Sequence, residues 1–286
     1  MSNMINFCHI SPVSGLQRYT QTNGAHLILA HLVEENEEYR DYYASLKDKK
    51  YKIMDNSAFE MFKLGRPMYD SDKLIEMGKL CKADCIVLTD YPKEHSSMTI
   101  KAAQYLIPQL KESGFDTFFV PQSKLADMDD LLYAIEWGLN NPYVDLVGLS
   151  ILSCPIACGV DETTFNGGKR NEAFRMQRYL SRLEVFRQLE KRRLLTSLAK
   201  RRFHCLGMVD GPKEIDLLRD YHSFIYSWDS SAAVWAGMNG IRFDDSPTGL
   251  MNGKFEKEVD FELVAEHSPS DVYYNVEYIN KLCGFK

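Results

Sequence analysis

The chain has 286 residues, of which 45% are hydrophobic and 26% are charged, and this composition excludes a disordered chain, a collagen-like fibre and a coiled coil. At roughly 150 residues per domain the length fits two small domains, but it fits a single α/β barrel equally well. The net charge of −6 argues, taken alone, against a protein that binds nucleic acid.

Short apolar runs alternate with amphipathic helical patterns along the chain. This order is typical of a parallel sheet whose faces are covered by helices. The runs predict eight strands, which are Ile5–Ile10, His26–Leu32, Tyr51–Met54, Asp84–Thr89, Thr117–Pro121, Val144–Leu149, Phe203–Met208 and Ser223–Trp228.

The intervening segments predict helices over Glu35–Leu46, Asp72–Cys81, Thr99–Ser113, Met128–Gly138, Asn171–Leu195, Lys213–Tyr221 and Val272–Cys283. Together with the strands they predict one (β/α)8 TIM-like barrel over residues 1–286, with a C-terminal extension from about residue 244. An open doubly wound sheet is the alternative. No strand is followed by G-x-G-x-x-G or by a P-loop, so a nucleotide cofactor has no support.

The apolar runs, the N-terminus and the cysteines indicate the cellular compartment. Apolar runs are far shorter than the roughly 20 residues that span a bilayer, and the N-terminus does not resemble a secretory signal. Seven cysteines without a disulfide-type pattern suit a reducing compartment. We therefore expect a cytoplasmic protein that does not bind a membrane.

One segment departs from the overall acidity. Lys169–Arg202 contains twelve Lys or Arg and three Glu, which gives +9. Within its helical pattern, one stripe is apolar (Met176, Leu180, Leu183 and Phe186) and another is basic (Arg175, Arg178 and Arg182). A basic helical insertion of this kind either follows a phosphate backbone or is a solvated helix face, and the pattern alone leaves both open.

Polar residues directly follow four of the predicted strands. Three are carboxylates, Asp55, Asp90 and Asp229, and the fourth is the amide of Gln122, while Gly148 ends a further run. A single Asp after a strand is usually a helix cap. In a barrel, however, all of these positions meet at one rim, where active sites form.

Carboxylates grouped at one rim suit chemistry at a glycosidic bond. One can attack the anomeric carbon while another handles protons, and an additional carboxylate with an amide can bind a purine edge. A metal-assisted reaction is the alternative, but the histidines form no H-x-H or H-E-x-x-H group, so we expect no metal and no cofactor.

In order and approximate spacing, six motifs between about residues 50 and 240 resemble the tRNA-guanine transglycosylases, especially the archaeal-type and DNA-modifying branches. They are Met54–Glu60, Leu88–Pro92, Val120–Gln122, Val147–Leu149, His204–Gly207 and Trp228–Ala232. Members of that family are (β/α)8 barrels that exchange a guanine in a polynucleotide for a 7-deazaguanine base.

The resemblance implies a role for each matching residue. Asp229 is the implied nucleophile at C1′, and Asp55 the general acid and base. Asp90 and Gln122 would bind the guanine edge together with the backbone at Gly148 and Leu149. The implied base-stacking residues are Phe59 on one face and Leu206 and Gly207 on the other.

The chain also differs from familiar members of the family. Asn56-Ser57-Ala58 replaces their Ser-Gly-Gly or Ser-Gly-Ser, Phe59 replaces a tyrosine, and the cysteines of their zinc site after the nucleophile are missing. The missing zinc subdomain and the compact length favour DNA over tRNA as the substrate. Cys85 lies in an apolar strand and is expected to be a buried structural thiol.

The sequence therefore predicts an enzyme that replaces guanine in DNA with a preQ0-like 7-deazaguanine. The predicted phosphate contacts are Arg175, Arg178, Arg182, Lys200 and Arg201. Alternatives are a tRNA-guanine transglycosylase, a hydrolase that uses the same carboxylates, and a non-catalytic nucleic-acid-binding subunit. A homodimer or an accessory protein partner remains open.

Overall fold

Eight parallel strands form the centre of the computed structural model, which describes residues 4–47, 49–166, 168, 171–208, 210–250 and 269–285. The strands are β1 (Asn6–His9), β2 (His26–Leu29), β3 (Lys52–Asp55), β4 (Cys85–Val87), β5 (Asp116–Phe119), β6 (Leu146–Ser150), β7 (Phe203–Leu206) and β8 (Ile225–Ser230). Each lies within or beside a predicted strand.

The strand order is β1-β8-β7-β6-β5-β4-β3-β2, and every pair in it is parallel. The remaining seam, between β1 and β2, is bridged by the loop before β2. The Gly24 N–H donates to the Phe7 carbonyl at 2.9 Å, and the Asn23 side chain bonds both the N–H and the carbonyl of His9. The sheet is therefore a nearly closed barrel, and the predicted (β/α)8 fold is confirmed.

Helices alternate with the strands. They are α1 (Leu16–Tyr19), α2 (Ala30–Glu35), α3 (Glu37–Ser45), α4 (Ala58–Leu64), α5 (Ser71–Cys81), α6 (Ser96–Glu112), α7 (Met128–Asn140), α8 (Ser153–Ala157), α9 (Glu172–Lys191), α10 (Glu214–Leu217), α11 (Ala232–Met238) and α12 (Pro269–Leu282). Side-chain hydrogen bonds cap the N-termini of several helices. Before α9, for example, the Asn171 side chain accepts the Phe174 N–H. None of the described helices is long and apolar enough to cross a membrane.

Side chains alternate between the two faces of each strand, which produces one apolar layer inside the barrel and another between the barrel and the helices. On β6, Val147 and Leu149 face the surrounding helices, whereas Leu146 faces the barrel interior. Gly148 also faces inward, where a Cβ would come within 2.7 Å of Phe118. Cys85 is fully buried in the interior layer, which confirms the expectation of a buried thiol.

The C-terminal extension returns to the barrel through α12. The Asn275 side chain is fully buried there, donates to the carbonyls of Ala233 and Ile241, and accepts the Phe243 N–H at 2.8 Å. The closing helix predicted over Val272–Cys283 is confirmed. Residues 251–268 and 286 of the predicted extension lie outside the described residues.

The buried face of α9 differs from the prediction. Met176 and Leu180, assigned to the apolar stripe, are 40% and 39% exposed, whereas Arg182, assigned to the basic stripe, is 1% exposed. The apolar pattern misled because Arg182 is buried opposite an acid, Glu214, whose carboxylate its Nη1 reaches at 3.0 Å.

Arg182 is bound on all sides. Its Nε donates to the Leu149 carbonyl at 2.9 Å, and its Nη2 donates to the carbonyls of Leu206 and Gly207. The guanidinium also lies over the Trp228 ring, 5.1 Å from its centroid. It therefore ties the ends of β6 and β7 together and is a structural cation.

Replacing Arg182 with Met should lower the free energy of unfolding by about 3 kcal/mol or more, because the buried Glu214 carboxylate loses its partner and three carbonyls each lose one hydrogen bond. Urea denaturation measures the change. Arg219→Met is the matched control, since Arg219 is 73% exposed and its pair with Asp216 should contribute less than about 1 kcal/mol. Equal losses in the two variants would contradict the structural role of Arg182.

Candidate active site

A cavity of about 580 Å³ opens at the carboxyl ends of the strands, where the rim of a barrel carries its active site. Six of the residues singled out from the sequence line it, and they are Asp55, Asp90, Gln122, Leu206, Gly207 and Asp229. The barrel thus brings together polar groups that are separated by up to 174 positions in the sequence.

Asp229 lies near the end of β8 and is 4% exposed. Two donors bind the same oxygen, Oδ1, namely His204 Nε2 at 2.9 Å and the Gly207 N–H at 3.1 Å. No described residue donates to Oδ2. One oxygen of this carboxylate is therefore anchored, and the other is available to a ligand.

His204 is itself fully buried, on β7 below the cavity. Its Nδ1 lies 2.7 Å from Ser227 Oγ, and its ring packs edge-on against Phe118. The sequence analysis gave His204 no role. Strand alternation was the available signal, because Phe203 and Cys205 face the helices and His204 must then face the barrel interior.

Asp55 ends β3 and is partly buried. Burial, reinforced by the charges of Glu60, Asp229 and Asp90, raises the pKa of this carboxyl well above its ordinary value, while the Ser57 N–H, at 2.8 Å from Oδ2, opposes the rise. Asp55 therefore holds a proton at a pH where an exposed aspartate has lost it, as an acid catalyst must.

The turn after Asp55 is built around a serine in a strained backbone conformation. Ser57 has a φ of +55°, a left-handed conformation that glycine adopts easily and other residues rarely do. Its fully buried hydroxyl lies 2.9 Å from His31 Nδ1 and accepts the His31 N–H. These contacts offset the backbone strain and keep the Ser57 N–H directed at Asp55.

Asp90 lies at the centre of a buried polar network. Asn56 Nδ2 donates to its Oδ1 at 2.9 Å and to the Leu88 carbonyl at 2.7 Å, while Gln122 Nε2 donates to its Oδ2 at 2.5 Å. Burial raises the pKa of Asp90 to about 6, although both amides favour the charged form. Sequence reasoning missed Asn56, which holds the Asp90 carboxylate by a hydrogen bond to Oδ1.

Gln122 offers the clearest sign that a ligand completes this network. The side chain is 1% exposed, yet its Oε1 has no hydrogen-bond partner among the described residues. A buried amide oxygen left without a donor costs free energy. A ligand with an N–H or O–H group in the cavity would provide that donor.

The other predicted base contacts, apart from Leu206 and Gly207, do not line the cavity or lie outside the described residues. Gly148 lies below the cavity floor, and Leu149 faces the helices with its carbonyl bound to Arg182, whereas the next residues, Ser150 and Ile151, line the cavity. Strand alternation excludes Leu149 from the cavity, whereas Gly148 faces inward but lies two residues before Ser150 along β6. The side chain of Phe59 lies outside the described part of the structure.

The predicted phosphate contacts do not form one surface. Arg182 is buried, and Arg178 forms a bidentate pair with Asp210 at 2.6 Å. Arg201 donates to the Met4 and Ile225 carbonyls at the amino end of β8. Arg182 is therefore corrected to a structural residue, and Arg178 and Arg201 are committed to partners within the chain.

The remaining two predicted contacts lie at opposite ends of the barrel. Arg175 lies in the first turn of α9, on the cavity side, and Lys200 is exposed in the loop before β7, on the far side. No group of three or more metal-binding side chains occurs within the described ranges.

The pKa of Asp90 predicts how base binding depends on pH. Only an ionised Asp90 has both oxygens free of hydrogen, so guanine should bind progressively more weakly as the pH falls through about 6, approaching a tenfold loss per pH unit. Calorimetric titration with guanine between pH 5 and 8 measures this. Asp90→Asn, which cannot ionise, should bind weakly at every pH, and a pH-dependent loss that persists in this variant would assign the titration to another group.

Comparison with known proteins adds no further support for an assignment. No protein-family model matches this chain, and no curated protein matches its sequence.

Proposed function

We propose that this chain is a guanine transglycosylase, which replaces guanine in a polynucleotide, preferentially DNA, with a 7-deazaguanine base of the preQ0 kind. One observation carries the proposal. A single cavity holds a carboxylate with one anchored and one available oxygen, Asp229, together with a carboxyl whose pKa is raised by burial, Asp55. A nucleophile and an acid in one cavity are what retaining chemistry at a glycosidic carbon requires.

In the first step, Asp229 Oδ2 attacks C1′ of the nucleotide. The C1′–N9 bond breaks, and its electron pair leaves with the guanine. Asp55 supplies the proton that neutralises the departing base, because its raised pKa favours the protonated form compared with an exposed aspartate. The sugar remains joined to Asp229 as an ester.

In the second step, the incoming base replaces the guanine in the cavity. Asp55, now ionised, takes the proton from N9, and N9 attacks C1′ while the C1′–Oδ2 bond breaks. The electron pair returns to Asp229 as a carboxylate. Two inversions at C1′ retain the original configuration.

Base selection is assigned to Asp90 and Gln122. Guanine has two adjacent N–H groups, which can donate to the Asp90 carboxylate. Beside them it has a carbonyl oxygen, which can accept from the Gln122 amide. Asn56 and Gln122 hold the Asp90 carboxylate in place, so that its orientation is set before the base enters. A 7-deazaguanine retains the same edge and fits the same contacts.

The exchange reaction is the direct test. Radiolabelled guanine should enter DNA in the presence of the wild-type protein, and Asp229→Asn should reduce its incorporation by more than about 10³-fold while guanine still binds, because an amide is a poor nucleophile. Parallel reactions with DNA, tRNA and no polymer compare the substrates.

Each outcome of this test has a distinct meaning. Label in tRNA alone would move the activity to RNA, and free sugar ends without label would indicate hydrolysis. Substantial turnover by Asp229→Asn would remove Asp229 from the role of nucleophile. Label in neither polymer would overturn the proposed exchange for the isolated chain.

The polymer itself must be held outside the cavity, and the fold suggests where. The first turn of α9 lies at the cavity end of the barrel, so Arg175→Glu should weaken DNA binding several-fold in low salt and less in high salt. Lys200→Glu, which makes the same charge change at the far end, is the control. Fluorescence anisotropy with labelled single-stranded DNA measures both, and an equal loss would indicate a general effect of net charge.

A further inference from the structure

We propose that His204 is a positioning residue, whose ring holds Asp229 by one oxygen and so presents the other to the glycosidic carbon. This inference rests on the proposed function. It concerns a residue that does not line the cavity and so does not touch the substrate.

The hydrogen bonds determine which ring nitrogen carries the proton. An ionised carboxylate only accepts, so His204 Nε2, at 2.9 Å from Asp229 Oδ1, must donate. When the ring is neutral, Nδ1 is then an acceptor, and the Ser227 hydroxyl at 2.7 Å can donate to it. Ser227 and Asp229 thus support the same tautomer.

The backbone supplies a second donor to the same oxygen. The Gly207 N–H reaches Asp229 Oδ1 at 3.1 Å, and the Gly207 carbonyl is held in turn by Arg182 Nη2 and Trp228 Nε1. Two fixed donors on Oδ1 prevent the carboxylate from rotating to exchange its oxygens. Oδ2, which receives no donor from any described residue, is then the attacking atom.

The same two donors act when the sugar ester is cleaved. While C1′ is bound to Oδ2, Oδ1 is the carbonyl oxygen of the ester and keeps both hydrogen bonds. When N9 of the incoming base attacks C1′, the C1′–Oδ2 bond breaks and negative charge returns to the carboxylate. Donors that are already in place stabilise that charge without reorganisation.

The His204 ring also contributes to packing, and a test must separate this contribution to stability from the positioning role. The ring is fully buried and packs against Phe118, so a smaller residue would leave a cavity. Gln and Met are nearly equal in shape. Gln can place an N–H donor close to the position of Nε2, whereas Met cannot, so the pair isolates the hydrogen bond.

The experiment compares wild type, His204→Gln and His204→Met in the exchange reaction, together with guanine affinity and thermal unfolding. We expect His204→Met to lose about 10- to 100-fold in kcat, in line with one hydrogen bond to a charged group. His204→Gln should stay within about threefold of wild type. Guanine affinity should be unchanged in both, because Asp90 and Gln122 lie on other strands.

Ser227→Ala is a second variant that leaves the imidazole in place. Without the Ser227 hydroxyl the tautomer that binds Asp229 loses one of its two supporting contacts, so kcat should fall about 3- to 10-fold with guanine affinity unchanged. This variant keeps the proposal testable if His204→Met does not fold.

The results that overturn the proposal are distinct from those that overturn the function. An active wild type with equal kcat losses in His204→Gln and His204→Met, or with no loss in either, would overturn the positioning role alone. Unchanged kcat in Ser227→Ala would overturn the tautomer assignment. A wild type without exchange activity would overturn the proposed function and the step that His204 serves.

Discussion

The buried guanidinium of Arg182 is the contact on which the rim of the barrel depends. Arg182 donates to three carbonyls at the ends of β6 and β7, those of Leu149, Leu206 and Gly207. The Leu206 carbonyl also accepts the Ile151 N–H, and the Gly207 carbonyl also accepts from Trp228 Nε1. Glu214 balances the charge of Arg182. Because the Gly207 N–H in turn binds Asp229, a cation in the helical layer fixes the geometry of a carboxylate inside the cavity.

Charge is arranged in layers around that contact. Among the described residues, four carboxylates line the cavity, and they are Asp55, Glu60, Asp90 and Asp229, whereas Arg182 lies behind the strand ends, outside the cavity. Burial raises the pKa of Asp55, and the neighbouring carboxylates raise it further because grouped carboxylates disfavour each other's ionisation. Asp229, anchored by two donors, and Asp55, crowded by acids, are thereby suited to opposite tasks.

Sequence reasoning succeeded where a property depends on position along a strand and failed where it depends on packing between elements. Asp55, Asp90, Gln122 and Asp229 were found because each directly follows or ends an apolar run, and parallel strands bring those ends together. The buried face of α9 was only partly predicted. Phe186 is buried as expected, but Arg182 was assigned to the basic stripe because a buried ion pair looks polar in sequence. The contact between His204 and Ser227 requires a register shift next to Phe203, which no sequence pattern indicated.

Gly207 shows how closely these constraints are coupled. Its φ is +73°, and a Cβ there would approach the Ile151 side chain to 2.9 Å, so both the backbone conformation and the space require glycine. That conformation lets one peptide segment direct its N–H at Asp229 while its carbonyl accepts from Arg182 and Trp228. A side chain at this position would move the donor away from Oδ1. The anchored carboxylate, and with it the choice of attacking oxygen, therefore depends on a residue that has no functional group of its own.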